Sequence, residues 1–246
     1  MLKKISAAIR NRNEANRPFC TAVVAAGGSS SRMGADKLMY KLRGIPVLVR
    51  TLQRLEACSV IHEIIVAVRP EAIEETVSLL AEYKISKLTK VIAGGDSRLV
   101  TVYNGVMEAS REAEIIAVHD GARPLVSDLV IKNAVDMGSL FSCAVPCVPV
   151  KDTLKEAAGD KAVNTPDRSR FYLAQTPQVF EKSLIKCALA NAIKKNLPVT
   201  DDASAVEALE FRVHISRGDY RNIKLTTPED LLIAEAFLAE EEKCCE

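Results

Sequence analysis

Short apolar runs that end on glycine or on charged residues, separated by stretches of helical period, constrain this chain more than any other feature. Residues 20–26 (CTAVVAA) run into Gly27-Gly28, and 63–68 (EIIVAV) stop at Pro70. Residues 90–93 (KVIA) run into Gly94-Gly95, and 114–118 (EIIAV) into His119-Asp120-Gly121. The runs at 20–26 and 63–68 read as buried strands, and near-continuous apolar strands of this kind are the signature of a sheet covered on both faces. Between them, 46–57 carries Val47, Leu48, Leu52 and Leu55 at helical spacing, and 71–83, 99–111 and 127–137 keep that period. Alternating strands and helices predict an α/β fold: a three-layer, doubly wound, mainly parallel sheet of Rossmann-like type. Ligands of such sheets sit beyond the carboxyl ends of the strands. The loops at 27–28, 94–96 and 119–121 are therefore expected to meet at one cleft.

Further along, 143–150 reads as a strand interrupted by prolines, 181–195 and 202–209 as helices, and 212–216 as a short strand; a last helix starts at Pro228. Residues 151–175 break the rhythm. Residues 151–156 alternate, Ala158-Gly159-Asp160 is a turn sequence, and 170–173 alternate again, which predicts a projecting β-hairpin arm. A two-stranded ribbon is marginal in water by itself, so the arm is expected to pack on a second copy, giving a homodimer. The domain reading is an N-terminal extension over 1–17 and one domain over 18–246, with 151–175 as its arm.

Charge narrows the partners. Against 33 Lys and Arg stand 32 Asp and Glu, a net charge of +1. Nucleic-acid binders carry a basic excess, so none is expected here, and an anionic ligand must be met by locally placed charges. The seven cysteines form no CxxC pair. Neither a disulfide framework nor a zinc site follows, and reduced thiols in a cytoplasmic enzyme are expected. No apolar run reaches the roughly 18 residues needed to cross a bilayer, so no membrane partner is expected. The basic stretch Lys3, Lys4, Arg10, Arg12 and Arg17 lacks the apolar centre of a secretory signal. It reads as a bacterial extension, with a mitochondrial transit peptide as the alternative.

The chemistry concentrates first in Ala26-Gly27-Gly28-Ser29-Ser30-Ser31-Arg32-Met33-Gly34-Ala35-Asp36-Lys37. Small residues directly after a buried strand let backbone N–H groups approach a phosphate. Arg32 adds a planar fork of donors and Lys37 a compact charge. Together they suit a triphosphate and the charge that builds on a leaving pyrophosphate, although an ordinary strand-to-helix turn has the same composition. The sequence is neither a Walker A loop nor GxGxxG. Asp120 follows an apolar strand, where an unpaired carboxylate is costly. A Mg²⁺ ion shared with phosphates would offset that cost, as would pairing with Arg123 or a role as a helix cap. Asn222 is a weaker candidate to assist the metal, and His119 reads as a structural neighbour. Thr200-Asp201-Asp202 reads as a helix cap with acids at the positive end.

The glycine-serine loop resembles the signature of nucleotidyltransferases acting on sugars, alditol phosphates and molybdopterin. His119-Asp120-Gly121-Ala122-Arg123-Pro124, Gln175-Thr176-Pro177-Gln178, Thr200-Asp201-Asp202-Ala203-Ser204 and 222–231 (NIKLTTPEDL) are similar to one branch of these. That branch is the 2-C-methyl-D-erythritol 4-phosphate cytidylyltransferases, and the likeness covers 20–240. The segment between Arg32 and Lys37 is shorter than in many members, and Leu38 stands where glutamine commonly follows the lysine.

The resemblance implies transfer of CMP from CTP to 2-C-methyl-D-erythritol 4-phosphate, giving 4-diphosphocytidyl-2-C-methyl-D-erythritol and pyrophosphate. Arg32, Lys37, Arg170 and Lys224 would be catalytic. Ala26, Gly27, Gly28, Gly95, Asp96, Arg98, Thr101, Asp120 and Gly121 would bind CTP. Asp120, Arg123, Thr153, Arg170, Thr176 and Lys224 would hold the alditol phosphate, with Thr153 and Arg170 reaching in from a neighbouring subunit. Asp120 would hold Mg²⁺ or another divalent cation. A phosphomonoester is mostly dianionic at neutral pH, since its second pKa is near ~6, so no general base is required. Ribitol 5-phosphate as acceptor, a molybdopterin nucleotidyltransferase, and a CTP sensor without catalysis are the competing readings.

Overall fold

A computed structural model of the protein describes residues 17–28 and 37–243. The sheet is built on β1 (Cys20–Ala26), which pairs in parallel with β4 (Glu63–Val68) on one side and β6 (Ile115–Asp120) on the other. Outside β4 lies β5 (Leu88–Ala93), also parallel. Beyond β6 the antiparallel β11 (Gln178–Glu181) intervenes, followed by β7 (Cys143–Pro149). β7 is flanked by the antiparallel β10 (Tyr172–Ala174) and the parallel β12 (His214–Arg217). Pro146 falls where the β10 and β11 pairings part, so its missing N–H interrupts no ladder bond on that side.

Alternation along the strands builds the two outer layers. Ala22, Val24 and Ala26 of β1, with Ile115 and Ala117 of β6, face one core. That core is closed by α1 (Val47–Ala57), α4 (Asp128–Phe141) and α7 (Pro228–Lys243), with Leu80 of α2 (Ile73–Glu82). Val23, Ile116 and Val118 face the other core, which α3 (Arg98–Glu108), α5 (Lys182–Lys195) and α6 (Asp202–Glu207) cover. The expected three-layer, mainly parallel architecture is what the chain adopts. A small hairpin, β2 (Lys41–Leu42) with β3 (Ile45–Pro46), leads into α1. α7 is tied to that hairpin through Glu235 and Glu242, both bonded to Arg43.

The arm differs in detail from expectation. Its hairpin is β8 (Glu156–Ala158) with β9 (Lys161–Asn164), turning at Gly159, whose φ of +63° is the left-handed conformation glycine adopts without strain. The alternating stretch 170–173 is not its second strand. Arg170 ends a single 3₁₀ turn, and Tyr172–Ala174 pairs with Cys147–Pro149 in the main sheet. Alternation reports a strand but not its partner, and the open edge of β7 supplies unpaired backbone groups that the short arm does not.

Candidate active site

The carboxyl ends of β1, β4, β5 and β6 open on a cleft of about 400 Å³, within the range typical of small-molecule sites. Ala25, Ala26, Gly27, Gly28, Lys37, Arg69, Gly95, Asp96, Arg98, Thr101, Asp120, Ala122 and Lys224 are in its wall. All three loops singled out in the sequence therefore meet there. Arg32 lies outside the described residues.

The glycines let α3 come close. A Cβ on Gly94 would sit 2.9 Å from Thr101 Oγ1, and one on Gly95 would run into the Val100 side chain. With no Cβ in the way, the Gly95 N–H donates to Thr101 Oγ1 at 3.0 Å, which pins the loop to the first turn of the helix. Ser97 caps that helix by accepting from the Val100 N–H. Arg98 thus starts α3 pointing into the site.

Asp120 is the electrostatic centre. Lys224 Nζ lies 3.0 Å from Oδ2, Arg123 Nε 3.4 Å from Oδ2, and Arg98 Nε 3.4 Å from Oδ1. Burial pushes this carboxyl up, but Lys224, Arg98 and Arg123 outweigh burial and hold it well below the usual carboxylate range. Pairing with Arg123, one of the readings left open by the sequence, is present, and two further cations join it. Arg123 also donates to the Asn222 carbonyl at 2.7 Å, fixing the segment that carries Lys224.

Beneath Asp120 runs a buried polar chain. The Asp120 N–H donates to Thr176 Oγ1 at 3.1 Å, and Thr176 Oγ1 lies 2.9 Å from His119 Nδ1. Because the Arg123 carbonyl 3.4 Å from Nε2 can only accept, the proton of the neutral ring sits on Nε2, and Nδ1 accepts from the Thr176 hydroxyl. Burial lowers His119 to about 4, so it is neutral at neutral pH. Asn222 donates to the Thr176 carbonyl at 2.9 Å. Gly121 does not line the cleft: its N–H donates to the Ala25 carbonyl, and its carbonyl lies 2.8 Å from Thr51 Oγ1. Arg123 and Thr176 are buried and reach the site through Asp120. Thr153 and Arg170 are exposed on the arm and are not part of this subunit's cleft.

Sequence reasoning passed over two residues. Arg69, directly after β4, lines the cleft, and a cation one residue past a buried strand was the available signal. Asp202 is 1% exposed and binds Arg98 with both oxygens, at 3.0 Å (Nη1) and 2.7 Å (Nη2). Its signal was the doubled acid, since one carboxylate suffices for a cap.

The chain is similar to known proteins over most of its length. The family model described as IspD, 2-C-methyl-D-erythritol 4-phosphate cytidylyltransferase, matches residues 20–240. A protein of that name from Caldanaerobacter subterraneus is 42% identical over 222 residues, covering 89% of this chain and 98% of its own. One from Syntrophus aciditrophicus is 38% identical over 230 residues, covering 92% and 98%. The crystal structure of 4-diphosphocytidyl-2C-methyl-D-erythritol synthase from Anaerococcus prevotii superposes with a TM-score of 0.81 at 28% identity, covering 90% of this chain and 96% of that one. The chain belongs to the 2-C-methyl-D-erythritol 4-phosphate cytidylyltransferase family.

Proposed function

We propose that this protein transfers CMP from CTP to 2-C-methyl-D-erythritol 4-phosphate, releasing pyrophosphate and forming 4-diphosphocytidyl-2-C-methyl-D-erythritol, a step towards isoprenoid precursors. The observation that carries the reading is the cation cluster on Asp120 in the wall of a glycine-lined cleft, in a chain of this family. Two polyanions can approach each other only where positive charge is already in place.

An oxygen of the acceptor phosphate attacks the α-phosphorus of CTP in line. The new P–O bond forms as the bond to the β-phosphate bridge breaks, and the electrons leave with pyrophosphate. The acceptor is already dianionic, and the neutral, buried His119 is not called on as a base. In this reading Ala26, Gly27, Gly28, Gly95, Asp96 and Thr101 seat the cytidine. Arg32 and Lys37 hold the triphosphate and the departing charge, while Lys224, steadied by Arg123 through Asp120 and the Asn222 carbonyl, holds the acceptor phosphate. Each such contact is worth on the order of 3 kcal/mol in the transition state.

A divalent ion, Mg²⁺ by the hardness of its donors, belongs to the same reading. Asp120 suits it: a carboxylate kept ionised, lining the cleft, with room for nucleotide phosphates to complete the shell. When bound, the ion neutralises phosphate charge. Among the described residues no cluster of three His, Cys, Asp or Glu side chains forms an all-protein cage, so Asp120 would share the ion with the nucleotide.

A homodimer through the arm also belongs to it, with Thr153 and Arg170 reaching the neighbour's cleft. Support comes from β8 and β9, exposed along their whole length, and from the exposed Phe171, Tyr172 and Leu173 at the arm's base. A cytoplasmic setting fits the free thiols of Cys20, Cys58, Cys143 and Cys147, all buried. No helix among the described residues is long and apolar enough to cross a membrane.

The test is a pyrophosphate-release assay across CTP, UTP, ATP and GTP, with 2-C-methyl-D-erythritol 4-phosphate or ribitol 5-phosphate as acceptor. Release is expected with CTP and the methylerythritol acceptor above every other pair. Faster turnover with ribitol 5-phosphate would reassign the substrate, and CTP binding without release would mark a sensor.

A further inference from the structure

We infer that Asp202 is a positioning residue of the nucleotide site, acting through Arg98 to hold that guanidinium at a fixed distance from Asp120. Its neighbour already does the capping. Asp201 accepts from the Ser204 N–H, and Ser204 returns a bond to the Asp201 N–H, completing a capping box without Asp202. The Asp202 carboxylate turns inward instead and places both oxygens on Arg98. A buried carboxylate is tolerated only when paired and well bonded.

The pair is anchored from the sheet. Gln178 of β11 accepts from the Ala203 N–H at 2.9 Å and donates to Asp201 at 2.7 Å, so the start of α6 cannot drift relative to the strands. Arg98 then divides its fork unequally: its contacts to Asp202 are 2.7 and 3.0 Å, and those to Asp120 are 3.4 Å. Asp202 thereby restrains Arg98 from closing onto Asp120. Asp120, which lines the cleft, is left with Arg98 at 3.4 Å rather than in close contact. Without the Asp202 charge, Arg98 collapses onto Asp120 and the cluster gains a unit of positive charge.

The inference rests on the proposed CMP transfer and is tested separately from it, by comparing wild type, Asp202→Asn, Arg98→Gln and the double variant. Thermal melts first establish that each is folded. Removing both charges together avoids leaving one of them buried alone, so the double variant is expected to fold. Asp202→Glu, which keeps the charge and lengthens the reach, replaces Asp202→Asn if that variant does not fold. In steady state, Asp202→Asn is expected to lower kcat/KM for CTP on the order of 10²-fold, the usual result of misplacing a reacting group. The KM for the acceptor should stay at its wild-type value. Added to Arg98→Gln, the same change should cost no more than about twofold, because the two residues act as one unit.

Losses that multiply, an equal rise in both KM values, or kcat/KM for CTP within about twofold of wild type would overturn the inference. A wild type that turns over no acceptor counts against the proposed function alone. The same variants are then compared by calorimetric titration with CTP, where the same non-additive pattern is expected and additive losses overturn it. A wild type that binds no CTP overturns both.

Discussion

Lys224 Nζ and Asp120 Oδ2 meet at 3.0 Å, although one lies in the segment before α7 and the other ends β6. The lysine is partly exposed and the carboxylate buried, so the ammonium faces the pair on one side and the cleft on the other. Its charge is thus held in place before any anion arrives, which is how positioned cations lower the barrier to phosphoryl transfer.

Replacing Lys224 with Met keeps the length of the side chain and removes the charge. Asp120 retains Arg98 and Arg123, so the variant is expected to fold. Its kcat/KM for the acceptor should fall on the order of 10²- to 10³-fold, with the KM for CTP little changed. Steady-state kinetics with each substrate varied in turn checks this. An unchanged acceptor KM and kcat would remove Lys224 from the phosphate site.

Lys37 also lines the cleft, just past the glycine-serine loop. Lys37→Ala should lower kcat on the order of 10²-fold while the circular dichroism spectrum and melting temperature stay those of the parent. Turnover at the wild-type rate would show that the leaving group draws its stabilisation from elsewhere.

Buried His119 makes stability depend on pH. Its ordinary value of 6.5 is lowered to about 4 in the folded state, chiefly by burial. Between those values the unfolded chain takes up a proton that the folded one refuses, so stability falls as pH drops through that window. The contribution is about 3 kcal/mol across it. Urea denaturation at pH 7 and pH 5 should show a loss that is smaller in His119→Gln. An identical pH dependence in both proteins would contradict it.

Thr51 links α1 to the active-site turn, its hydroxyl lying 2.8 Å from the Gly121 carbonyl and 3.0 Å from that of Val47. Thr51→Val keeps the shape and leaves a buried carbonyl without its donor. The unfolding free energy should fall by about 1–2 kcal/mol at unchanged m-value. An unshifted urea midpoint would mean that the bond to Gly121 contributes nothing.

The parallel half of the sheet was legible because β1, β4, β5 and β6 are apolar runs closed by glycine, proline or charged residues, and the position of ligand loops follows from strand direction. The antiparallel insertion was not. β11 is a run of four residues whose place between β6 and β7 depends on pairings far along the chain, which periodicity does not encode. The same limit assigned 170–173 to the arm rather than to the edge of β7. At the site, Asp120 stood out because a carboxylate after an apolar strand demands a partner. Asp202 did not, since a cap explained it locally and its bond to Arg98 spans much of the chain.

Phosphorus NMR of the protein with CTP, Mg²⁺ and 2-C-methyl-D-erythritol 4-phosphate decides whether two anions react in this cleft. The expected spectrum loses the triphosphate and acceptor resonances together and gains those of a pyrophosphate diester and free pyrophosphate in equal amounts. A spectrum in which CTP is unchanged, or yields orthophosphate while the acceptor persists, would contradict CMP transfer by this protein.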